Sequence, residues 1–181
     1  LKTDIFLACL LAGLALCGCV SACSSSSIMS NSDEDVPTLL EEASRSIDAQ
    51  DFEKAMDMAL QALSLSEANP ILKVRTLLTI VGIDIMASRD DDAWKKALEA
   101  EDIAREHDFK KELAAILISK AKLCSYAEIS PDTGRNDEGL SYAREALLLA
   151  EQTSNLEEQA ESCYIIGSLY INKNRWSDPI D

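Results

Sequence analysis

A pattern of small and large residues recurs along this chain at one fixed spacing. Phe52 and Trp94, Ala55 and Ala97, and Ala62 and Ala104 are each 42 residues apart, and a further 42 leads from Ala97 to Gly139 and from Ala104 to Ala146. Within 181 residues such a repeat leaves few solutions, because each unit is one supersecondary element that cannot bury its apolar face alone and is completed by its neighbours. The composition makes those units helical. Ala, Leu, Glu and Ser dominate, only 5% of residues are aromatic, and there are 6 Gly and 4 Pro, the make-up of packed helices with small contact positions. An apolar content of 47% beside 27% charged residues is that of a folded chain, not a disordered one. The 17 basic and 32 acidic side chains leave a net charge of −15, which repels phosphate backbones and argues against nucleic acid as a partner.

Taken in order, the repeat region begins with Asp35 and Thr38 as helix caps on either side of Pro37, and Thr38 with Glu41 has the capping-box spacing. A first helix runs to about Ala49 with Val36, Leu39, Leu40, Ala43 and Ile47 on one side. Asp51 caps a second helix on which Phe52, Ala55, Met56, Ala59, Ala62 and Leu63 recur at three- and four-residue steps, and Asn69-Pro70 ends it. The second hairpin spans Ile71 to about Ser88 and Asp91 to about His107. Asp91 with Lys95, Asp92 with Lys96, and Glu101 with Arg105 are acid-first pairs that mark its solvent side. The third spans Phe109 to Ile129 and Asp137 to about Thr153, and Ser154 with Glu157 opens a further helix through Cys163, Ile166, Gly167 and Tyr170. Trp176 and Ser177-Asp178-Pro179 read as the start of one more helix. The helix bearing Tyr164, Ile165, Ile166, Leu169 and Tyr170 is therefore expected to lack its partner here, and the sequence to be part of a longer protein.

Helix pairs with a small residue in the first helix, an aromatic nine residues later, and Ala three and ten beyond that resemble the tetratricopeptide repeat. The residues are Ala43, Phe52, Ala55 and Ala62 in the first unit, and Gly167 followed by Trp176 in the last. The spacing departs from the family's length of about 34 residues, since Gly82, Cys124 and Gly167 are 42 and 43 apart, so the helices or loops are longer. The resemblance implies an all-α fold in which tetratricopeptide-like hairpins over residues 36–181 stack into a right-handed α-solenoid of about three and a half repeats. It further implies that Gly82, Cys124 and Gly167 let the second helix approach closely, and that the first helices line a concave surface for an extended peptide or a partner's helix. The groove positions carried over are Thr79, Ile83, Met86, Ser125, Tyr164 and Ser168.

Ahead of the repeats, Ile5 to Val20 is an apolar run behind Lys2 that stops abruptly at Ser24 to Ser27, and it resembles an export signal. Two cysteines fit the bacterial lipoprotein pattern. Cys23, preceded by Val20, Ser21 and Ala22, is favoured because the apolar-to-polar boundary falls directly after it; Cys19, preceded by Leu16, Cys17 and Gly18, is the alternative. Acyl chains on such a cysteine add about 0.8 kcal/mol per buried methylene, enough with several chains to hold a soluble domain at a membrane. An uncleaved signal anchor is the other reading of the same run. Residues 1–23 are thus a signal with its lipidation motif and residues 24–35 a flexible Ser-rich and acidic tether. Both readings place the bulk of the chain outside the cytoplasm.

Residues for chemistry do not cluster. His107 is the only histidine and sits near a helix end, and without a second one neither a triad nor a zinc site is easily assembled. Cys124 and Cys163 occupy apolar first-helix positions and read as buried structural thiols, with a disulfide between them as the alternative. The stretch from Asp132 to Gly139 fails as a calcium loop, because Asp137 stands where Gly is required and Ala143 where a bidentate Glu belongs. No cofactor or metal is expected. Arg105, Lys110, Lys111, Lys120 and Lys122 gather mid-chain, and residues 137–161 carry seven acids and one base, which reads as solvated charge. The expectation is a non-enzymatic, membrane-tethered scaffold for proteins or peptides. The alternative is the extracytoplasmic input region of a sensor histidine kinase.

Overall fold

The structure, a computed structural model, describes residues 31–126 and 133–177. Among them are seven helices and no strand: α1 (Asn31–Asp48), α2 (Phe52–Leu65), α3 (Pro70–Met86), α4 (Asp90–Glu106), α5 (Lys110–Tyr126), α6 (Thr133–Gln152) and α7 (Leu156–Ser177). The all-α expectation holds.

One turn design is used four times. Gln50, Ser88, Asp108 and Ser154 all have φ between 54° and 59°. In each case the next residue's N–H reaches back five positions to a carbonyl: Asp51 to Ser46 at 2.9 Å, Arg89 to Asp84 at 2.8 Å, Phe109 to Ala104 at 2.9 Å and Asn155 to Ala150 at 2.9 Å. This is the left-handed C-cap that satisfies the last carbonyls of a helix while reversing the chain. At the α3–α4 corner it is reinforced by the buried Asp84, which accepts from Arg89 Nε at 2.7 Å. The α2–α3 corner differs: Asn69 caps α3 and Pro70 stands at its first turn, where a missing N–H costs nothing.

Several helix starts differ from the sequence reading. Asp51 does cap α2, accepting from Lys54 N at 3.1 Å. However, α1 begins at Asn31 and runs through Pro37, so Thr38 and Glu41 lie inside it and residues 31–35 are helical instead of tether. α7 is capped by Asn155, whose Oδ1 accepts from Glu158 N at 3.4 Å. Ser154 already serves as the left-handed residue closing α6, so its capping box with Glu157 is replaced. α6 starts at Thr133, which puts Asn136 and Asp137 within its first turns. Lys95 pairs with Asp92 at 3.1 Å and Lys96 with Glu99 at 3.3 Å, while Arg105 pairs with Glu101 at 2.8 Å as the spacing predicts.

The helices associate first as the hairpins α1/α2, α3/α4 and α5/α6, and α7 lies against α6. In addition, α1 touches α3, α3 touches α5 and α5 touches α7, so the odd-numbered helices form a continuous row. The alanines of the 42-residue pattern are the contact points: Ala55, Ala62, Ala97, Ala104 and Ala146 are all fully buried. Around them one core runs from α3 to α7 through Val74, Leu77, Ile116, Leu117, Leu140 and Leu169. α1 and α2 join α3 through two smaller clusters. Ile165 and Leu169 of α7 belong to this core, so that side of the last helix packs on the helices before it, while Tyr164 and Tyr170 are exposed.

The close approach also lies elsewhere than the pattern implied. A Cβ added at Gly82 or Gly167 meets nothing within 4 Å, whereas one at Gly139 comes within 2.8 Å of Cys124 Cβ and 3.1 Å of Leu169. Backbone proximity is therefore needed in α6, where it crosses α5. Gly139→Ala is expected to destabilise by about 1–3 kcal/mol through overpacking, and Ala97→Leu similarly. Gly82→Ala, free of that clash, should gain about 0.5–1 kcal/mol from helix propensity. Denaturant unfolding of the three variants checks the order; equal effects of the two glycine changes would contradict this assignment.

Candidate functional groove

The row of odd-numbered helices carries two adjoining hollows. The first, of about 340 Å³, has Leu78, Ala115 and Ile118 as its apolar floor and Lys111, Ser119, Asn155, Glu157 and Glu158 around it. The second, of about 350 Å³, is lined by Ser125, Tyr164, Ile165, Ser168 and Asn172. Lys122 of α5 and Glu161 of α7 line both hollows and form an ion pair with each other. That pair is a strut between α5 and α7. A second strut is Asn172, whose amide donates to the Ser125 carbonyl at 3.2 Å.

Three of the six residues expected to line a groove come together here: Ser125, Tyr164 and Ser168. Both hydroxyls are turned inward, Ser125 donating to the Lys122 carbonyl at 2.8 Å and Ser168 to that of Tyr164 at 3.1 Å. Tyr164, 76% exposed, offers most of its ring. Thr79 is half-buried on α3 and donates to the Arg75 carbonyl at 3.2 Å, and Met86 is exposed at the end of that helix; neither lines the two hollows. Ile83 is a correction. It is fully buried with Ala55 and Ala59 of α2, because this face of α3 packs on the preceding hairpin, and it is not available to a ligand.

The charged members of the groove were missed, although a signal existed. Lys111, Ala115, Ile118, Lys122 and Ser125 follow one another at three- and four-residue steps along a single face of α5. Burial raises the Glu158 carboxyl above its ordinary range even with Lys111 pulling it down. Its Oε2 is closed off from solvent without a hydrogen-bond donor.

Behind the groove lies a buried charge network. Lys120 is 3% exposed; its Nζ sits 2.7 Å from Glu101 Oε2, 4.0 Å from the centre of the Tyr142 ring and 5.1 Å from that of Trp94. The rings meet edge to face at 6.2 Å. Arg105 completes the set, reaching Glu101 at 2.8 Å and Glu145 at 3.0 Å. Burial pushes the Glu101 carboxyl up, but the hydrogen bonds from Lys120 and Arg105 outweigh it and hold the group below its usual range. The Tyr142 phenol is raised by burial and by its 2.6 Å bond to Glu138. Together these groups tie α4, α5 and α6.

The two described thiols are free. Cys124 is buried, with burial pushing its pKa up to about 11, so it is an inert structural thiol. Cys163 is exposed, contrary to expectation, since α7 turns that position outward. His107 ends α4 and stacks on Phe109 at 5.3 Å. Among the described residues no three His, Cys, Asp or Glu side chains are grouped to hold a metal, and no helix is long and apolar enough to cross a membrane. The apolar run, Cys19, Cys23 and Asp132 lie outside the described residues.

The two shifted carboxylates give opposite pH signatures. Glu101 is depressed in the fold, so its contribution to stability is fully present above the unfolded value of 4.5 and is lost as pH falls through the lower folded value. Glu158 is raised, so its ionised form weakens the fold at neutral pH and that penalty vanishes once both states are protonated, below 4.5. Glu101→Gln is therefore expected to destabilise at pH 7 and Glu158→Gln to stabilise, with both differences shrinking towards pH 3 in denaturant titrations. Comparison of the chain with protein-family models, with curated proteins and with solved structures finds no match.

Proposed function

We propose that the chain is a non-enzymatic scaffold whose tetratricopeptide-like hairpins stack as an α-solenoid and bind an extended peptide or a partner's helix along α5 and α7. The observation that carries this reading is the pair of adjoining hollows on the row of odd-numbered helices. They combine an apolar floor at Leu78 and Ile118 with polar groups at Lys111, Lys122, Asn172 and Glu158. An elongated groove of this kind suits a chain segment better than a compact small molecule, because successive side chains can enter successive hollows while the polar rim meets the backbone. Tyr164 supplies the aromatic surface on which binding energy concentrates.

In this reading the N-terminal segment tethers the scaffold on the outer side of a membrane through a lipidated Cys23, or Cys19. The net charge of −15 opposes attachment to anionic lipid by the domain itself, so the anchor supplies the attachment.

Probing an array of extended peptides with the full chain tests the groove. Captured peptides are expected to lose at least about tenfold in affinity on Tyr164→Ala, the range of an aromatic anchor, with melting unchanged, and to be unaffected by Met86→Ala. No captured peptide, or capture insensitive to Tyr164→Ala, would contradict the proposal. For the tether, incorporation of labelled palmitate in a bacterial host, abolished by Cys23→Ser or Cys19→Ser, is the expected outcome. Unlabelled protein in the membrane fraction would instead support an uncleaved anchor.

A further inference from the structure

The hollow floored by Leu78, Ala115 and Ile118 holds an acceptor without a donor. Glu158 lines it, and Glu158 Oε2 is closed off from solvent with no hydrogen-bond partner. One turn further along the same side of α7, Ser162 is fully buried and its Oγ is likewise unpartnered. A buried oxygen left without a donor bears its whole desolvation cost. The cations nearby do not supply what is missing. Lys122 is paired with Glu161. Arg75 bonds Glu112, whose charge also acts on Glu158, at 2.8 Å. Lys111 is exposed and acts on Glu158 through its charge alone. With Lys122 and Glu161 neutralising each other, Glu157 and Glu158 stand against Lys111, and the hollow keeps an excess of negative charge.

We propose that this hollow is a lysine-binding subsite. The stem of a ligand lysine lies on Leu78, Ala115 and Ile118, and its ammonium donates to Glu158 Oε2, with Ser162 Oγ as a second acceptor one turn away. The proposal rests on the groove reading above for the extended peptide that carries the lysine. An apolar floor beside a carboxylate suits four methylenes ending in a charge. A single free oxygen suits a compact ammonium, whereas the planar fork of an arginine is matched by two parallel acceptors. The terminal torsion of a glutamate is soft, so the carboxylate turns its orphan oxygen to an incoming donor without moving α7. Charge acts in the same direction, since the local excess is negative and the whole chain carries −15. Burial already raises the Glu158 carboxyl, a cost to the fold that a bound ammonium offsets, and groups perturbed in this way gather where ligands bind.

The probe is N-acetyl-lysine methylamide, with N-acetyl-norleucine methylamide as its uncharged counterpart. Each is titrated into the full chain over about 0.1–10 mM, the range of a single side-chain contact, while the methyl signals of Leu78, Ala115 and Ile118 are followed by NMR. Saturating shifts are expected with the lysine probe. They should weaken at least about tenfold with norleucine and in Glu158→Gln, the effect of losing a charge-assisted hydrogen bond. Glu151→Gln, the same change of charge at an exposed position of α6, should leave binding unchanged. No shift, equal binding of norleucine, or indifference to Glu158→Gln would overturn the subsite. Peptide capture that depends on Tyr164, without any response to the lysine probe, would overturn this inference and leave the groove standing. Lysine binding through Glu158 with no peptide captured would support the subsite and contradict the groove.

Discussion

A methyl group is the largest side chain that fits where the helices of this protein cross. Ala55, Ala62, Ala97, Ala104 and Ala146 are all fully buried, and around each the larger side chains of the facing helices close. Small contact residues fix the interaxial distance, and that distance decides how far Leu77, Ile116, Leu117 and Leu169 interdigitate. At one crossing even a methyl group is too large: Gly139 stands against Cys124. The groove depends on the same constraint, since its floor residues belong to the helices that these contacts hold in a row.

Two further devices stiffen the arrangement. The repeated left-handed turn, built on Gln50, Ser88, Asp108 and Ser154, sets how one helix leaves another. None of the four is glycine, so each carries a backbone cost that glycine would avoid. The second device is the network centred on Lys120. A buried ammonium is costly unless it is paired and hydrogen-bonded. Here Glu101 supplies the charge and the faces of Tyr142 and Trp94 the remaining surroundings. The network joins α4, α5 and α6 directly behind the α5 face that forms the groove.

What could be read from the sequence was what repeats. Helix order, the hairpin pairs and the buried alanines follow from a 42-residue period combined with three- and four-residue steps, because burial imposes that periodicity on every unit. What does not repeat stayed hidden. Lys120 counted as surface charge, since a lysine in an apolar stripe betrays its burial only when Glu101 and Tyr142 are known to converge on it. Ile83 was placed in the groove because a helix face was extrapolated across units, while α3 turns that face to α2. Gly82 and Gly167 satisfied the spacing of small residues without making a close contact. Of the groove, Ser125, Tyr164 and Ser168 were legible by extrapolation, and the Lys122–Glu161 strut was not, because it depends on how α5 and α7 align.

Native-state hydrogen exchange tests the shared core most directly. If alanine-mediated contacts unite α3 to α7, their central amides open together in one cooperative event, with α5 the most protected because it touches α3, α4, α6 and α7. The smaller clusters that attach α1 and α2 to α3 should open at lower cost. Independent opening of α3/α4 and α5/α6, each hairpin with its own free energy, would contradict a common core.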